Sequence, residues 1–296
     1  MKLRELGEDR LIAQLTARLP ARPDVIAGPG DDCAILRTLG KDRLLLLKTD
    51  CVVEGVHFLP NEKPARVGWK AMMRTLSDFA AMSGLPQYAL ITLVAPAERE
   101  ARWVRQLYHG LQHAAARFDV AIVGGETSGT NGPTVVSISA AGSVEKTRCV
   151  RRNGGHAGDF LFVTGTLGGS RRGRHLNFLP RIAEARWLTK HFRIHAMMDL
   201  SDGLGADLPR LAEASGVGFE VEEAALPRTA GCSIGEAIND GEDYELLFAL
   251  SPNDAARLKK NWKRKFPRLL LTQIGAFTRP SAGDRRRSFH GFLHFR

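Results

Sequence analysis

Acidic residues recur in this chain where buried elements begin or end. Asp31 and Asp32 lie in a Gly-rich turn, Ala27-Gly-Pro-Gly-Asp-Asp-Cys33. Asp50 comes just after an apolar run, Arg43-Leu-Leu-Leu-Leu47, and Asp78 interrupts an otherwise apolar helical stretch. Glu126 follows Gly124-Gly125, and Asp199 and Asp202 flank Ser201. A carboxylate on an apolar element is costly unless it is paired or bound to metal. Several brought together would repel and raise one another's pKa values. Hard oxygen donors select Mg²⁺, which keeps waters and phosphate oxygens in its shell. Such a site takes ATP only with Mg²⁺ as the bridge. One Asp at a strand end or helix start is ordinary capping; the repetition at five places is what points to a metal cradle.

Competing chemistry lacks its signatures. There is no GxxxxGK[ST] loop, no HRD or DFG, no GxSxG and no HExxH. His109/His113 and His290/His294 are i, i+4 pairs with no acid signature nearby, so they are read as structural. The turn from Gly165 to Gly169 fits a backbone amide cradle for phosphate. Cys33, Cys51, Cys149 and Cys232 form no CxxC pair, so free buried or half-buried thiols are expected.

The elements that must position these groups alternate between strand and helix. Leu6–Leu19 reads as an amphipathic helix with Leu11, Leu15 and Leu19 on one face. The spacing of Trp69, Met72, Met73, Leu76 and Phe79 predicts a core-facing helix from Pro64 to Ser83. Strands are expected over 88–94, 120–123, 134–142, 160–164 and 269–274, and helices over 98–118, up to Ser215, and 253–265. Over 296 residues this predicts a two-domain α/β (α+β) protein, with mixed sheets and flanking helices in both domains. The texture changes to Arg, Asn and Gly around 147–158, so domains of 1–148 and 149–296 are expected. No run reaches the ~20 apolar residues of a membrane span, and the first ten residues carry acids and no apolar core. A cytoplasmic location follows as the default. The net charge of +10 sits in local runs, including Arg171-Arg172, Lys259–Lys265 and Arg285–Arg287, without a nucleic-acid recognition motif. Lys259–Lys265 reads as a solvated helix face.

At these residues the chain resembles thiamine-monophosphate kinase. The resemblance runs through Gly28-Pro-Gly-Asp-Asp-Cys-Ala34, Thr49-Asp50-Cys-Val-Val-Glu54-Gly-Val-His57-Phe58, Leu76-Ser-Asp78-Phe-Ala-Ala-Met82 and Val123-Gly-Gly-Glu126. It continues through Val163-Thr-Gly-Thr-Leu-Gly168, Met198-Asp-Leu-Ser-Asp-Gly203, Gly241-Glu-Asp-Tyr-Glu-Leu246 and Gly291-Phe-Leu-His-Phe295. VEGVHF and GEDYEL are particular to that family, while GDD and SDG are shared across its aminoimidazole-ribonucleotide-synthetase-like superfamily.

The resemblance implies the two-domain fold of that superfamily. It implies ATP-dependent phosphorylation of thiamine monophosphate to thiamine diphosphate by direct in-line transfer, with several Mg²⁺ ions. It also implies a homodimer built through an N-terminal ATP/Mg-binding domain, with the C-terminal domain completing the nucleotide and substrate site. By match, Asp32, Thr49, Asp50, Asp78, Glu126, Asp199 and Asp202 are metal ligands. Tyr108, Gly125, Arg152 and Ser201 fall at ATP-contact positions, and His57, Glu242 and Phe292 at substrate positions. Asp50, Asp78 and Arg152 carry the transfer itself: the acids hold metal at the triphosphate and Arg152 neutralises developing charge.

The chain departs from the family pattern where Lys48 replaces a small hydroxylic residue and Glu126 replaces Asp. It departs again at Arg152-Asn-Gly, in place of Arg-Ser-Gly, and in the basic segment 169–174. Three rivals follow: another ATP-using reaction of the superfamily, a catalytically altered or non-catalytic nucleotide-binding relative, and, on charge alone, a nucleic-acid-binding protein.

Overall fold

The structure is a computed structural model and describes residues 2–20, 22–37, 40 and 42–280. Phe292 and its motif, Arg285–Arg287 and the His290/His294 pair lie outside the described residues. The elements of the first half are α1 Leu3–Leu6, α2 Glu8–Thr16, β1 Val25–Ala27, β2 Ala34–Arg37, β3 Arg43–Val53, α3 Pro64–Ala81, β4 Leu85–Ala95, α4 Ala101–Arg117, β5 Ala121–Gly129 and β6 Val135–Glu145. Those of the second half are β7 Phe160–Thr164, α5 Ile182–His191, β8 Ile194–Asp199, α6 Leu204–Ser215, β9 Gly218–Val221, α7 Ile234–Asn239, β10 Leu246–Leu250, α8 Pro252–Lys265 and β11 Leu271–Thr278.

The chain folds as two compact units. One takes residues 32–149 and 173–191; the other takes the described parts of 1–31, 150–172 and 192–296. In the first, strands run in the order β2-β3-β6-β4-β5. Neighbours pair antiparallel except β4 with β5, which are parallel. Alternate residues of β3 and β6 (Leu44, Leu46, Val52, Val136, Ile138) are buried, as a half-covered sheet requires. The α3 stripe of Met72, Met73, Leu76 and Phe79 is fully buried, each side chain contributing roughly 1.5–3 kcal/mol. Trp69 is half-buried beside it and donates Nε1–H to the carbonyl of Phe178 at 3.1 Å.

The second unit is built on a five-stranded sheet, β8-β10-β7-β11-β9, with every pairing antiparallel. Its core joins Leu161, Val163, Met198, Leu247 and Phe277 to Leu208 and Leu211 of α6. The expected N-terminal helix differs. It breaks at Gly7 into α1 and α2, and Leu15 and Leu19 are 65% and 57% exposed. The 3.6-residue spacing was real, but the face it marks is not core among the described residues. The basic run of α8 is exposed around a buried Trp262, as read from the sequence. All four cysteines are free; Cys33 and Cys232 are buried and the other two half-buried.

Candidate active site

Strand β3 does not stop before the Lys-Thr-Asp segment, as the apolar run alone had indicated. It continues to Val53 because β6 pairs with it throughout, Asp50 opposite Ile138. Lys48 and Asp50 therefore share the parity of Leu44, Leu46 and Val52 and face α3. On α3, Arg74 and Asp78 stand one turn apart and face back. Lys48 Nζ donates to Asp78 Oδ1 at 2.6 Å, and Arg74 Nε donates to Asp50 Oδ2 at 2.8 Å. The four side chains are 10–25% exposed, so two half-buried ion pairs run side by side. Burial alone would lower the Lys48 ammonium, but the Asp78 and Asp50 charges outweigh it and hold its pKa above the ordinary lysine value. Arg74 was missed in the sequence. Its signal was the i, i+4 Arg–Asp pair on α3 facing the i, i+2 Lys–Asp pair on β3.

Asp32 and Asp78 each offer a carboxylate oxygen, and these lie within 4.8 Å of one another. Both residues are buried, at 2% and 7% exposure. Thr49 takes the other face of β3, where its hydroxyl meets that of Ser139 at 3.2 Å. Glu126 is exposed and lies within β5, not after it, opposite Thr92. The register Cys51–Ser137–Thr92–Glu126 sets it three strands from Cys51, about 14 Å away at the usual strand spacing. Glu126 also has the opposite parity to Asp50, so the sheet does not bring these two together within one chain. Gly125 has a structural reason of its own: a Cβ there would stand 1.9 Å from the Ile91 carbonyl oxygen. Tyr108 is half-buried on α4.

His57 closes the turn after β3, its Nδ1 accepting from the Val53 amide at 3.0 Å. Its carbonyl accepts from Lys70 Nζ at 2.5 Å, and Lys70, fully buried, also donates to His175 Nδ1 at 2.7 Å. Lys70, in the Gly68-Trp69-Lys70 string of the family resemblance, had no role assigned from the sequence; a lysine on a buried helix face was its signal. Glu54 receives Arg99 Nη2 on both oxygens, at 2.6 and 2.7 Å. His113 packs on Trp69 with centroids 5.2 Å apart, which fits its structural reading.

In the second unit, Asp199 ends β8 and is 3% exposed. The Glu242 amide donates to the Ser201 carbonyl at 2.7 Å, and the Tyr244 amide to that of Leu200 at 2.8 Å. The segment 241–246 thus runs beside 199–202 and gathers Asp199, Ser201, Asp202 and Glu242. Glu242 and Tyr244 hold positive φ of 67° and 51°, a strained conformation that concentrates at functional sites. Arg210 Nη1 holds Asp202 Oδ2 at 2.5 Å and Asp207 Oδ1 at 3.2 Å. Burial, reinforced by the Asp202 charge, pushes the Asp207 carboxyl well above the usual range.

Two sequence readings are corrected here. The Gly165–Gly169 turn is no open phosphate cradle: the Gly168 amide donates to Asp243 at 3.0 Å and the Gly169 amide to Asp240 at 2.8 Å. Asp31 is a clamp, not a member of an acid cradle. It accepts Arg151 Nε at 2.9 Å and the Arg152 amide at 2.8 Å. Arg152 itself is half-buried in a short 3₁₀ turn over 152–154.

Residues 30–144 match the model of the AIR synthase related protein N-terminal domain, and 138–266 that of the C-terminal domain. The thiamine-monophosphate kinase of Rhodopirellula baltica is 36% identical over 97% of this chain and 97% of its own length. That of Aquifex aeolicus is 36% identical over 93% and 92%. This chain belongs to the thiamine-monophosphate kinase family. A solved structure, AaThiL complexed with AMPPCP and TMP, is 34% identical over 99% of both chains, with a TM-score of 0.85. Against the thiamine-monophosphate kinase pattern, the fit of Mg²⁺ can be tested on the donors present. Asp32 and Asp78 are hard oxygen donors, buried and close, which suits Mg²⁺. Lys48 already places one ammonium on Asp78.

Proposed function

We propose that this protein phosphorylates thiamine monophosphate to thiamine diphosphate with ATP, by direct in-line transfer. The observation that carries this is the 36% identity to a thiamine-monophosphate kinase along 97% of both chains; the acids of the family motifs are present in the sequence. Asp32, Asp50 and Asp78 would hold Mg²⁺, with Thr49, Glu126, Asp199 and Asp202 as further donors. Bound there, Mg²⁺ supplies charge neutralisation and orientation for the triphosphate. Tyr108, Gly125, Arg152 and Ser201 bind ATP, while His57, Glu242 and Phe292 bind the thiamine monophosphate. The acceptor phosphate oxygen is already anionic, so no strong general base is required. The half-buried Arg152 guanidinium neutralises charge that develops on the transferred group.

The protein acts in the cytoplasm as a homodimer joined through its N-terminal domain; 1–148 carries ATP and Mg²⁺, and 149–296 completes the nucleotide and substrate sites. In support of a dimer, β5 ends its sheet with every residue but Ile122 exposed, and Tyr88, Leu90 and Val123 present 52%, 47% and 58% of their surface. Among the described residues no helix is long and apolar enough to cross a membrane.

The Lys48–Asp78 pair favours one second reading, a nucleotide-binding relative with altered turnover. Titration of Mg-ATP into Asp50→Asn, with turnover measured in parallel, tests the metal scheme. Turnover should fall at least roughly a hundredfold, as for loss of a group that stabilises transition-state charge; unchanged use of Mg-ATP contradicts it.

A further inference from the structure

His156, Asp159 and His195 form a cluster that the phosphoryl-transfer reading does not use. The turn from His156 to Asp159 precedes β7, and His195 is the second residue of β8. The turn is fixed from several sides. The His156 amide donates to Asp159 Oδ2 at 2.8 Å, the Asp159 amide to the His156 carbonyl at 3.0 Å, and the Phe277 amide to the Asp159 carbonyl at 2.8 Å. Gly158 has φ of +95°, a conformation that suits glycine, and it closes the turn.

Three ligand atoms converge over this frame. His195 Nδ1 stands 2.8 Å from Asp159 Oδ2, His156 Nδ1 stands 3.6 Å from the same oxygen, and the two Nδ1 atoms are 3.4 Å apart. Ligands held tetrahedrally at about 2.0–2.1 Å from zinc stand about 3.4 Å from each other. Three edges of a tetrahedron are therefore nearly in place. The imidazole planes cross at 86°, so the rings meet edge to face without overlapping.

Charge points the same way. The Asp159 side chain is 6% exposed, and among the described residues no Lys or Arg pairs with it. A buried carboxylate needs a cation or protonated partner. The His195 side chain is 15% exposed and that of His156 67%, so the cluster opens to water on the His156 side. That leaves an entry path from solvent.

We propose that His156, Asp159 and His195 form a binding site for a zinc-type divalent ion, separate from the acids assigned to Mg-ATP. Two imidazoles and one carboxylate suit Zn²⁺ and reject Mg²⁺, which prefers oxygen donors alone. Bound there, the ion ties the 156–159 turn to β8 and supports the fold of the second unit.

The test uses the full-length protein stripped with chelator and titrated with Zn²⁺ in excess Mg²⁺, which occupies the oxygen sites. His156→Asn is the primary variant, since its exposed side chain can change without unfolding the chain. His195→Gln is the second. The expected result is one Zn²⁺ equivalent bound by the unsubstituted protein whose affinity falls at least roughly tenfold in either variant, with a Zn²⁺-dependent rise in unfolding temperature that both variants lose. Equal Zn²⁺ stoichiometry and affinity in the unsubstituted protein and His156→Asn, or no uptake by the unsubstituted protein, overturns the proposal.

Discussion

Lys48 Nζ lies 2.6 Å from Asp78 Oδ1, so a residue of β3 places a permanent cation on an acid expected to bind metal. Alongside it, Arg74 and Asp50 repeat the pairing with the signs exchanged between strand and helix. Neither acid is a bare carboxylate in this protein. A metal binding at Asp78 must share it with an ammonium or displace that ammonium.

Lys48→Thr removes this competitor. The Mg²⁺ concentration needed for half-maximal ATP turnover should fall by roughly tenfold or more, since about 1.4 kcal/mol of relieved competition suffices. A magnesium titration of both proteins at fixed ATP measures this. An unchanged midpoint would mean that Lys48 does not compete.

Arg74→Met leaves Asp50 half-buried without its guanidinium. Removing one partner of such a pair exposes the desolvation cost of the other. Stability should drop by about 2 kcal/mol in urea unfolding, and Arg74→Lys should recover part of the loss.

Glu145 provides a pH test. Arg186 binds it through two contacts, at 2.6 and 2.7 Å, and this hydrogen-bonded pairing lowers the Glu145 pKa from 4.5 to about 2. A depressed carboxylate pKa stabilises the fold above the unfolded value, and the contribution disappears as pH falls through the folded value. Glu145→Gln should therefore be less stable at pH 7 by about 1–2 kcal/mol, after allowance for partial exposure. The difference should shrink from about pH 4.5 downward and vanish below about pH 2. Chemical unfolding of both proteins across that range follows it.

Glu126 is exposed on β5, so Glu126→Ala should leave stability within about 0.5 kcal/mol. As a proposed metal donor it should nevertheless lower Mg-ATP turnover at least roughly tenfold. Parallel unfolding and rate measurements separate the two effects.

Much of this was legible in the residues. The α3 stripe announced a buried helix, and Phe160–Thr164 forms β7 at the residues expected. Charge partners were less legible, because they depend on register. Lys48 and Asp50 reveal Arg74 and Asp78 only once β3 is known to continue past Leu47 and to face α3. The Gly165–Gly169 turn looked like an anion cradle because its sequence does not show that Asp240 and Asp243, some seventy residues later, fill its amides. Leu15 and Leu19 follow helical spacing, but spacing cannot say whether anything covers them. His156 and His195 meet across an interval of 39 residues that no local pattern spans.

The most direct measurement is a coupled ATP-turnover assay with Mg²⁺, run on thiamine monophosphate, on free thiamine and without acceptor. The account predicts ADP release with thiamine diphosphate formed in equal amount on thiamine monophosphate, and only background on the other two. Normal Mg-ATP binding with no turnover on thiamine monophosphate would contradict it.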